Sequence, residues 1–330
     1  MASTIVFVTQ QVDPEHPVLA ATVPKIFALA KRFDEVAVLA AGAAPGVLPE
    51  NCRVVEYGAA GRFERGRFFA SALNCELARG PAAVLVHMTP LLAVLAAPLA
   101  RPRGVPVLLW FTHWKRSRTL MLAERVSSVV LTVDRRSFPL ESRKVVAIGH
   151  GIDLERFPCT RREPAGRLRV LALGRTSPAK GYETIVRAAA LADVDLELRG
   201  PSFTDEERTE RARLEELGVR VEGPVPYAEV PGLFFRKDVL VNNMREGALD
   251  KVVYEAAATC MPVLASNSGF DDVLPQQLRF SRENADELAA KLVQLRGIDR
   301  NAIGIGLRAT VEERHSVDHW ADEVLRVTQR

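Results

Sequence analysis

Residues 170–190 read VLALGRTSPAKGYETIVRAAA, an apolar strand, a cationic loop and a helix in direct succession. The strand pattern stops at Gly174, the residue type that best tolerates a sharp backbone turn at such a junction. Arg175 and Lys180 then place two cations at the strand end, next to a helix that begins near Gly181. Backbone N–H groups at a helix start favour phosphate oxygens, and an arginine fork adds paired contacts. Taken alone, the same loop is equally an ordinary turn with two solvated bases.

On either side the pattern repeats. Before it come apolar runs at Thr4–Val8, Glu35–Leu39, Val84–His87, Val105–Leu109, Ser128–Thr132 and Lys144–Ile148, mostly separated by helix-length segments such as Val23–Arg32. After it come strands at Leu196–Arg199, Val219–Glu222, Val239–Asn242 and Val263–Ala265, alternating with helices at Glu206–Leu217, Tyr227–Phe235 and Val252–Cys260. Short, nearly continuous apolar strands alternating with helices predict parallel sheets covered on both faces. The periodicity breaks over Gly151–Gly166, where Pro158, Pro164 and charges intervene. The expected fold is α/β, two doubly wound domains with a cleft between them, ligands binding beyond the carboxyl ends of the strands.

The length supports that division, since 330 residues exceed what one core usually organises. With 48% hydrophobic and 26% charged residues, disorder is excluded. Residues 1–160 hold 19 Lys and Arg against 13 Asp and Glu, a net +6; residues 161–330 hold 25 against 28, a net −3. The basic first half points to an anionic partner of unspecified kind. Cys52, Cys75, Cys159 and Cys260 are scattered without metal spacing and read as reduced packing residues of a cytoplasmic chain. The start MASTIVFVTQQ lacks the basic and long apolar regions of a signal peptide. Residues 81–100, PAAVLVHMTPLLAVLAAPLA, imitate a membrane span, but three prolines and His87 favour a strand at Ala83–His87, a turn at Met88–Thr89 and a helix from Pro90. His87 is expected to satisfy a local hydrogen bond.

A second informative stretch is residues 242–265, NNMREGALDKVVYEAAATCMPVLA: a strand, an acidic loop with Gly247, a helix carrying Glu255 and another strand. Glu255, about one turn into the helix, can accept hydrogen bonds from paired hydroxyls. Glu246 and Asp250, with the backbone of Gly247, Ala248 and Leu249, can contact sugar hydroxyls. Asp250 is equally well read as a helix N-cap, and Glu246 as a solvated loop charge.

The two stretches together resemble the retaining glycosyltransferases of family 4, which have the GT-B fold of two Rossmann-like domains facing across a cleft. The resemblance spans nearly the whole chain, through GRTSPAKG, EGALDKVVYEAAATCMPVLAS and GHGIDLERF, with support from FTHW and ERHSVDHWADEVL. It implies an acceptor-side domain over residues 1–155 and a nucleotide-sugar-binding domain over 156–330, whose last helix is free to pack back on the first. It also implies a hexosyltransferase-type enzyme moving a sugar from a nucleotide diphosphate sugar to a hydroxyl-bearing acceptor. Arg175 and Lys180 would hold the diphosphate, Glu255 the ribose, and Glu246 with residues 247–250 the donor sugar. His113 would touch the transferring sugar and, with Glu246, form the catalytic pair. The donor is a substrate, so no cofactor and no metal are expected.

Two departures stand out. Eight residues before Glu255 the family's first acid is replaced by Gly247, while Glu246 is nine before. After the first strand the sequence is TQQVDPEHPVLAAT rather than glycine-rich, so Asp13, Glu15 and His16 are assigned to the acceptor side. Arg62, Arg65 and Arg67, interleaved with Phe63, Phe68 and Phe69, are candidates for anionic lipid or a phosphorylated acceptor, or else a solvated helix face. No nucleic-acid module accompanies them. Two other readings stay open: a GT-B protein that binds a nucleotide sugar without transferring it, and a nicotinamide-dependent dehydrogenase. For the latter only GIGLRA at Gly304–Ala309 has a suitable spacing, and it follows no strand.

Overall fold

The computed structural model describes residues 3–16, 19–59, 61–163 and 166–329. The chain divides into two units, Met1–Asp153 with Ser316–Arg330, and Leu154–His315. The first division falls two residues before the expected 155/156, and the second returns the C-terminal segment to the first unit. Pro164, assigned above to the break between domains, lies outside the described residues.

The first unit is built on a seven-stranded parallel sheet, ordered β3-β2-β1-β4-β5-β6-β7. Its strands are β1 (Thr4–Val12), β2 (Glu35–Ala43), β3 (Cys52–Glu56), β4 (Ala83–His87), β5 (Val107–Trp110), β6 (Val129–Thr132) and β7 (Val145–Ala147). Helices α1 (Thr22–Ala30), α2 (Arg62–Leu77), α3 (Pro90–Ala100) and α4 (Arg118–Val126) connect them. β4 is buried at every residue, as a central parallel strand covered on both faces must be. The stretch that imitates a membrane span is therefore β4, a turn at Met88 and Thr89, and α3. No helix among the described residues is long and apolar enough to cross a membrane. His87 does not find the local bond expected of it. Its Nδ1 is buried with no hydrogen-bond partner among the described residues. Burial, then nearby Lys25, hold its pKa well below the usual value.

The second unit has a five-stranded parallel sheet, ordered β10-β9-β8-β11-β12. Its strands are β8 (Arg169–Leu173), β9 (Asp195–Arg199), β10 (Val221–Glu222), β11 (Val239–Asn242) and β12 (Val263–Ala265). The helices are α5 (Tyr182–Ala192), α6 (Asp205–Glu216), α7 (Val230–Phe235), α8 (Lys251–Ala258), α9 (Ala285–Gln294) and α10 (Arg300–His315). Pro231 sits in the first turn of α7, so the helix expected from Tyr227 opens as a separate 3-10 turn, Tyr227–Glu229. The GIGLRA string lies inside α10. A Cβ on Gly304 would stand 1.8 Å from the Cys260 carbonyl oxygen, so this glycine serves helix packing rather than a dinucleotide.

The cysteines require a correction. Cys159 and Cys260 form a disulfide across 101 residues, while Cys52 and Cys75 are free. The pairing is invisible in sequence because it depends on β11, α8 and the chain after residue 154 folding together. It removes the cysteine argument for a reducing compartment.

The last helix, α11 (Val317–Thr328), belongs to the first unit. Trp320 meets Trp110 edge to face at 5.7 Å, and Lys25 Nζ lies 5.0 Å from the Trp110 ring and 5.5 Å from the Trp320 ring. Gly151 has φ +78°, and a Cβ there would come within 2.8 Å of Lys25 and 3.3 Å of Trp320. That close approach accounts for a glycine in the string GHGID.

Candidate functional site

In the order β10-β9-β8-β11-β12, the chain runs outward in opposite directions from β8 and β11. Ligands of doubly wound sheets bind at such a reversal, outside the carboxyl ends of the strands. The loops that leave β8 and β11 meet there. Gly174 follows β8 with φ +142°, and a Cβ on it would stand 2.5 Å from Lys180 Nζ. A Cβ on Gly200, after β9, would stand 1.9 Å from the Gly174 carbonyl oxygen. Only glycine fits at either position. Ser177 accepts from the Ala179 N–H to cap the turn Pro178–Lys180, and Gly181, left-handed at φ +57°, redirects the chain into α5.

This turn buries Lys180 to 8% exposure. Its ammonium is 2.5 Å from Asp250 Oδ2, which also accepts from Asn242 Nδ2 at 2.8 Å. Around the pair the loops are stitched together. Asn243 Nδ2 donates to the Gly181 carbonyl at 2.9 Å, and the Arg245 N–H donates to the Ala179 carbonyl at 3.0 Å. Asn243 Oδ1 and Ser266 Oγ are buried here with no hydrogen-bond partner among the described residues. Such atoms suit the polar groups of a ligand.

Asp250 stands at the N-cap position of α8, yet its side chain makes no capping bond. Its carboxylate turns to Lys180 instead. Arg175, about half exposed, pairs with Glu207 at 3.2 Å, and Glu207 is itself held by the Thr204 capping box of α6. Each predicted phosphate-binding cation thus faces a carboxylate, which holds the cation in place and which an arriving anion must share or displace.

Glu255, 4% exposed on α8, accepts from Tyr227 Oη at 2.8 Å and pairs with Lys251 Nζ at 2.5 Å. Lys251 lies over the Tyr227 ring at 4.1 Å. Glu246 is engaged elsewhere, accepting from the Ser268 N–H at 2.9 Å and Ser268 Oγ at 2.8 Å. Between the acids, Gly247 is left-handed at φ +78°, and Ala248 and Leu249 are buried. Asn267 secures this loop, donating to the carbonyls of Arg245 and Ala248.

The structure therefore gathers Lys180 and Asp250 in one contact, with Asn242 and Asn243 around them. Arg175, Glu246 and Glu255 each have a separate partner. His113 belongs to the first unit, beyond β5, where its Nδ1 accepts from the Lys115 N–H and its ring stacks on Trp114 at 5.5 Å. Asn242, Asn243 and Asn267 were overlooked in the sequence, although all three lie at strand carboxyl ends, the position that should have flagged them. Tyr227 and Glu207 carry no such signal. No group of three or more His, Cys, Asp or Glu suited to a metal occurs among the described residues.

Residues 167–297 match the family model described as glycosyl transferases group 1. The fold is that of the GT-B glycosyltransferases. The group 1 match contains Arg175, Lys180, Glu246, Asp250 and Glu255. No curated protein matches by sequence. Solved structures match over the whole chain. Sucrose-phosphate synthase from Thermosynechococcus elongatus is 19% identical at TM-score 0.75, covering 99% of this chain and 98% of its own. HepE from Anabaena, in complex with UDP and glucose, is 17% identical at TM-score 0.73, with 99% of both chains covered. A putative UDP-N-acetylglucosamine 2-epimerase from Listeria monocytogenes is 14% identical at TM-score 0.64, covering 100% of this chain and 96% of its own. One fold thus carries different chemistries, and function has to be argued from the site.

Proposed function

We propose that the protein is a retaining, family 4 hexosyltransferase that moves a sugar from a nucleotide diphosphate sugar to a hydroxyl of an acceptor. The observation that carries this reading is buried Lys180, held where the loops after β8 and β11 meet at the reversal of strand order. The group 1 match over these loops and the UDP in the HepE structure support a nucleotide diphosphate as its partner. Departure of a nucleoside diphosphate leaves negative charge on the β-phosphate while positive charge develops at the anomeric carbon. Lys180 and Arg175, held in place by Asp250 and Glu207 until the diphosphate shares or displaces those carboxylates, stabilise the leaving group. Glu255 receives the ribose hydroxyls, and Glu246 with residues 247–250 reads the sugar. His113 is assigned to the transferring sugar. The acceptor oxygen attacks on the face the diphosphate leaves, and a phosphate oxygen takes its proton, so the anomeric configuration is retained. In this scheme the two cations do the work without a metal, and the donor is a substrate rather than a cofactor.

One observation favours a second reading, a binding protein without transfer: Gly247 stands where the family has its first acid, and Glu246 is bonded to Ser268. Mass spectrometry of an acceptor panel incubated with donor, together with assay of released nucleoside diphosphate, separates the two. A glycosylated product supports the enzyme. Donor binding with no product from any acceptor supports the second reading.

A further inference from the structure

A second reversal of strand order lies in the first unit, between β1 and β4. Beyond these strand ends is a cavity of about 470 Å³. Its polar lining includes Gln10 from β1 and Thr89 after β4, which hydrogen-bond each other at 3.4 Å, and Arg62 and Arg65 from the first turns of α2. Tyr57 closes one side, its hydroxyl donating to the Thr9 carbonyl at 2.7 Å. Arg65 is steadied by donation to the Ala59 carbonyl at 2.9 Å. Leu91 and Leu95 of α3 form an apolar wall, 49% and 37% exposed. His16 also lines it.

No Asp or Glu lines this cavity among the described residues. The nearest acid on α2, Glu64, lies outside the lining, its Oε2 3.7 Å from where a Gly61 Cβ would stand. The contrast with the second unit is informative: there each candidate phosphate cation faces a carboxylate, whereas Arg62 and Arg65 face a cavity without one. Two guanidinium forks within one turn match the geometry of a phosphate group, and Gln10 and Thr89 match hydroxyls. Arg67, two residues further along α2, does not line the cavity.

We propose that this cavity binds the acceptor through a phosphate group held by Arg62 and Arg65, the remainder of the acceptor lying along Leu91 and Leu95. The word acceptor rests on the glycosyltransferase reading; the phosphate site does not. The phosphate is carried either by a soluble sugar phosphate or by a lipid headgroup, and Phe63 and Phe68 on the same helix, 81% and 50% exposed, suit the latter.

Binding is measured without donor, by calorimetry with glucose 6-phosphate against glucose, and by sedimentation with phosphatidylcholine vesicles with and without phosphatidylglycerol. The wild type, the double variant R62Q/R65Q and the control R67Q are compared, with melting curves and UDP titration showing that each is folded. The expected result is binding of a phosphorylated probe over its unphosphorylated counterpart, weakened about tenfold or more in R62Q/R65Q and less than about twofold in R67Q. Preference for glucose 6-phosphate identifies a soluble source, and preference for phosphatidylglycerol vesicles a lipid source; either supports the site. Binding indifferent to phosphate, no binding of any probe, or equal weakening by R67Q overturns it. Failure to bind UDP would instead count against the glycosyltransferase reading and leave this result standing.

Discussion

At the residue scale the decisive feature is the pairing of Lys180 with Asp250. The sequence placed Asp250 where an N-cap belongs, and α8 does start at the next residue, but the carboxylate serves a lysine 70 positions away. Position along a helix is legible in sequence, whereas the direction a side chain takes depends on what another loop brings near. The pair also gives Asp250→Asn opposite effects on stability and affinity. Losing the charge leaves buried Lys180 uncompensated, lowering the stability of the free protein by roughly 2 kcal/mol, less than for a fully buried pair because Asp250 is partly exposed. The same lysine should then attract diphosphate more strongly, so nucleoside diphosphate affinity should rise. Calorimetry and a melting curve check both signs; a silent variant would show that the ion pair contributes nothing. Glu255→Gln should weaken free nucleoside and full donor alike, because the assigned ribose contact is common to both. Unchanged nucleoside affinity in a titration would remove Glu255 from that role.

At the scale of elements, the strands flanking the site were legible because each is short and apolar and is closed by a small or polar residue: Gly174 after β8, Asn242 at the end of β11, Ser266 after β12. β8, β11 and β12 have the limits their sequences suggest. β3 was missed: it is an edge strand with a partly exposed, mixed sequence, CRVVE, which lacks the continuous apolar run of a buried parallel strand. The Cys159–Cys260 bridge was also illegible, because sequence spacing cannot reveal which distant segments meet. Closing a loop of 101 residues restricts the unfolded chain, so Cys159→Ser should destabilise the second unit by about 2–4 kcal/mol. Melting curves with and without a reducing agent test this; curves unaffected by both reductant and substitution would show that the bridge is not formed in solution. In β4, His87 is held neutral by burial, its pKa below that of the unfolded chain. The unfolded chain therefore takes up a proton first on acidification, and the contribution present above about pH 6.5 is lost as the pH falls, by at most about 1.4 kcal/mol per pH unit. Melting curves at pH 7 and pH 5 should show a smaller acid loss for His87→Gln than for the wild type. Equal losses would mean that His87 is protonated in the folded state.

At the scale of the molecule, charge is distributed unevenly: the basic half holds a cavity with unopposed arginines, while the acidic half pairs its cations with carboxylates. An arginine-lined, phosphate-binding acceptor cavity and a diphosphate site would both draw on electrostatics, with binding that weakens as salt screens the exposed Arg62, Arg65 and Arg175 more than buried Lys180. The central claim concerns Lys180, and the most direct measurement is calorimetric titration of the wild type and Lys180→Met with UDP and with uridine. The account predicts that UDP binds the wild type more tightly than uridine and that Lys180→Met abolishes most of this difference, weakening UDP about tenfold or more with little change for uridine. Equal affinities for UDP and uridine in the wild type, or a UDP affinity untouched by Lys180→Met, would contradict it.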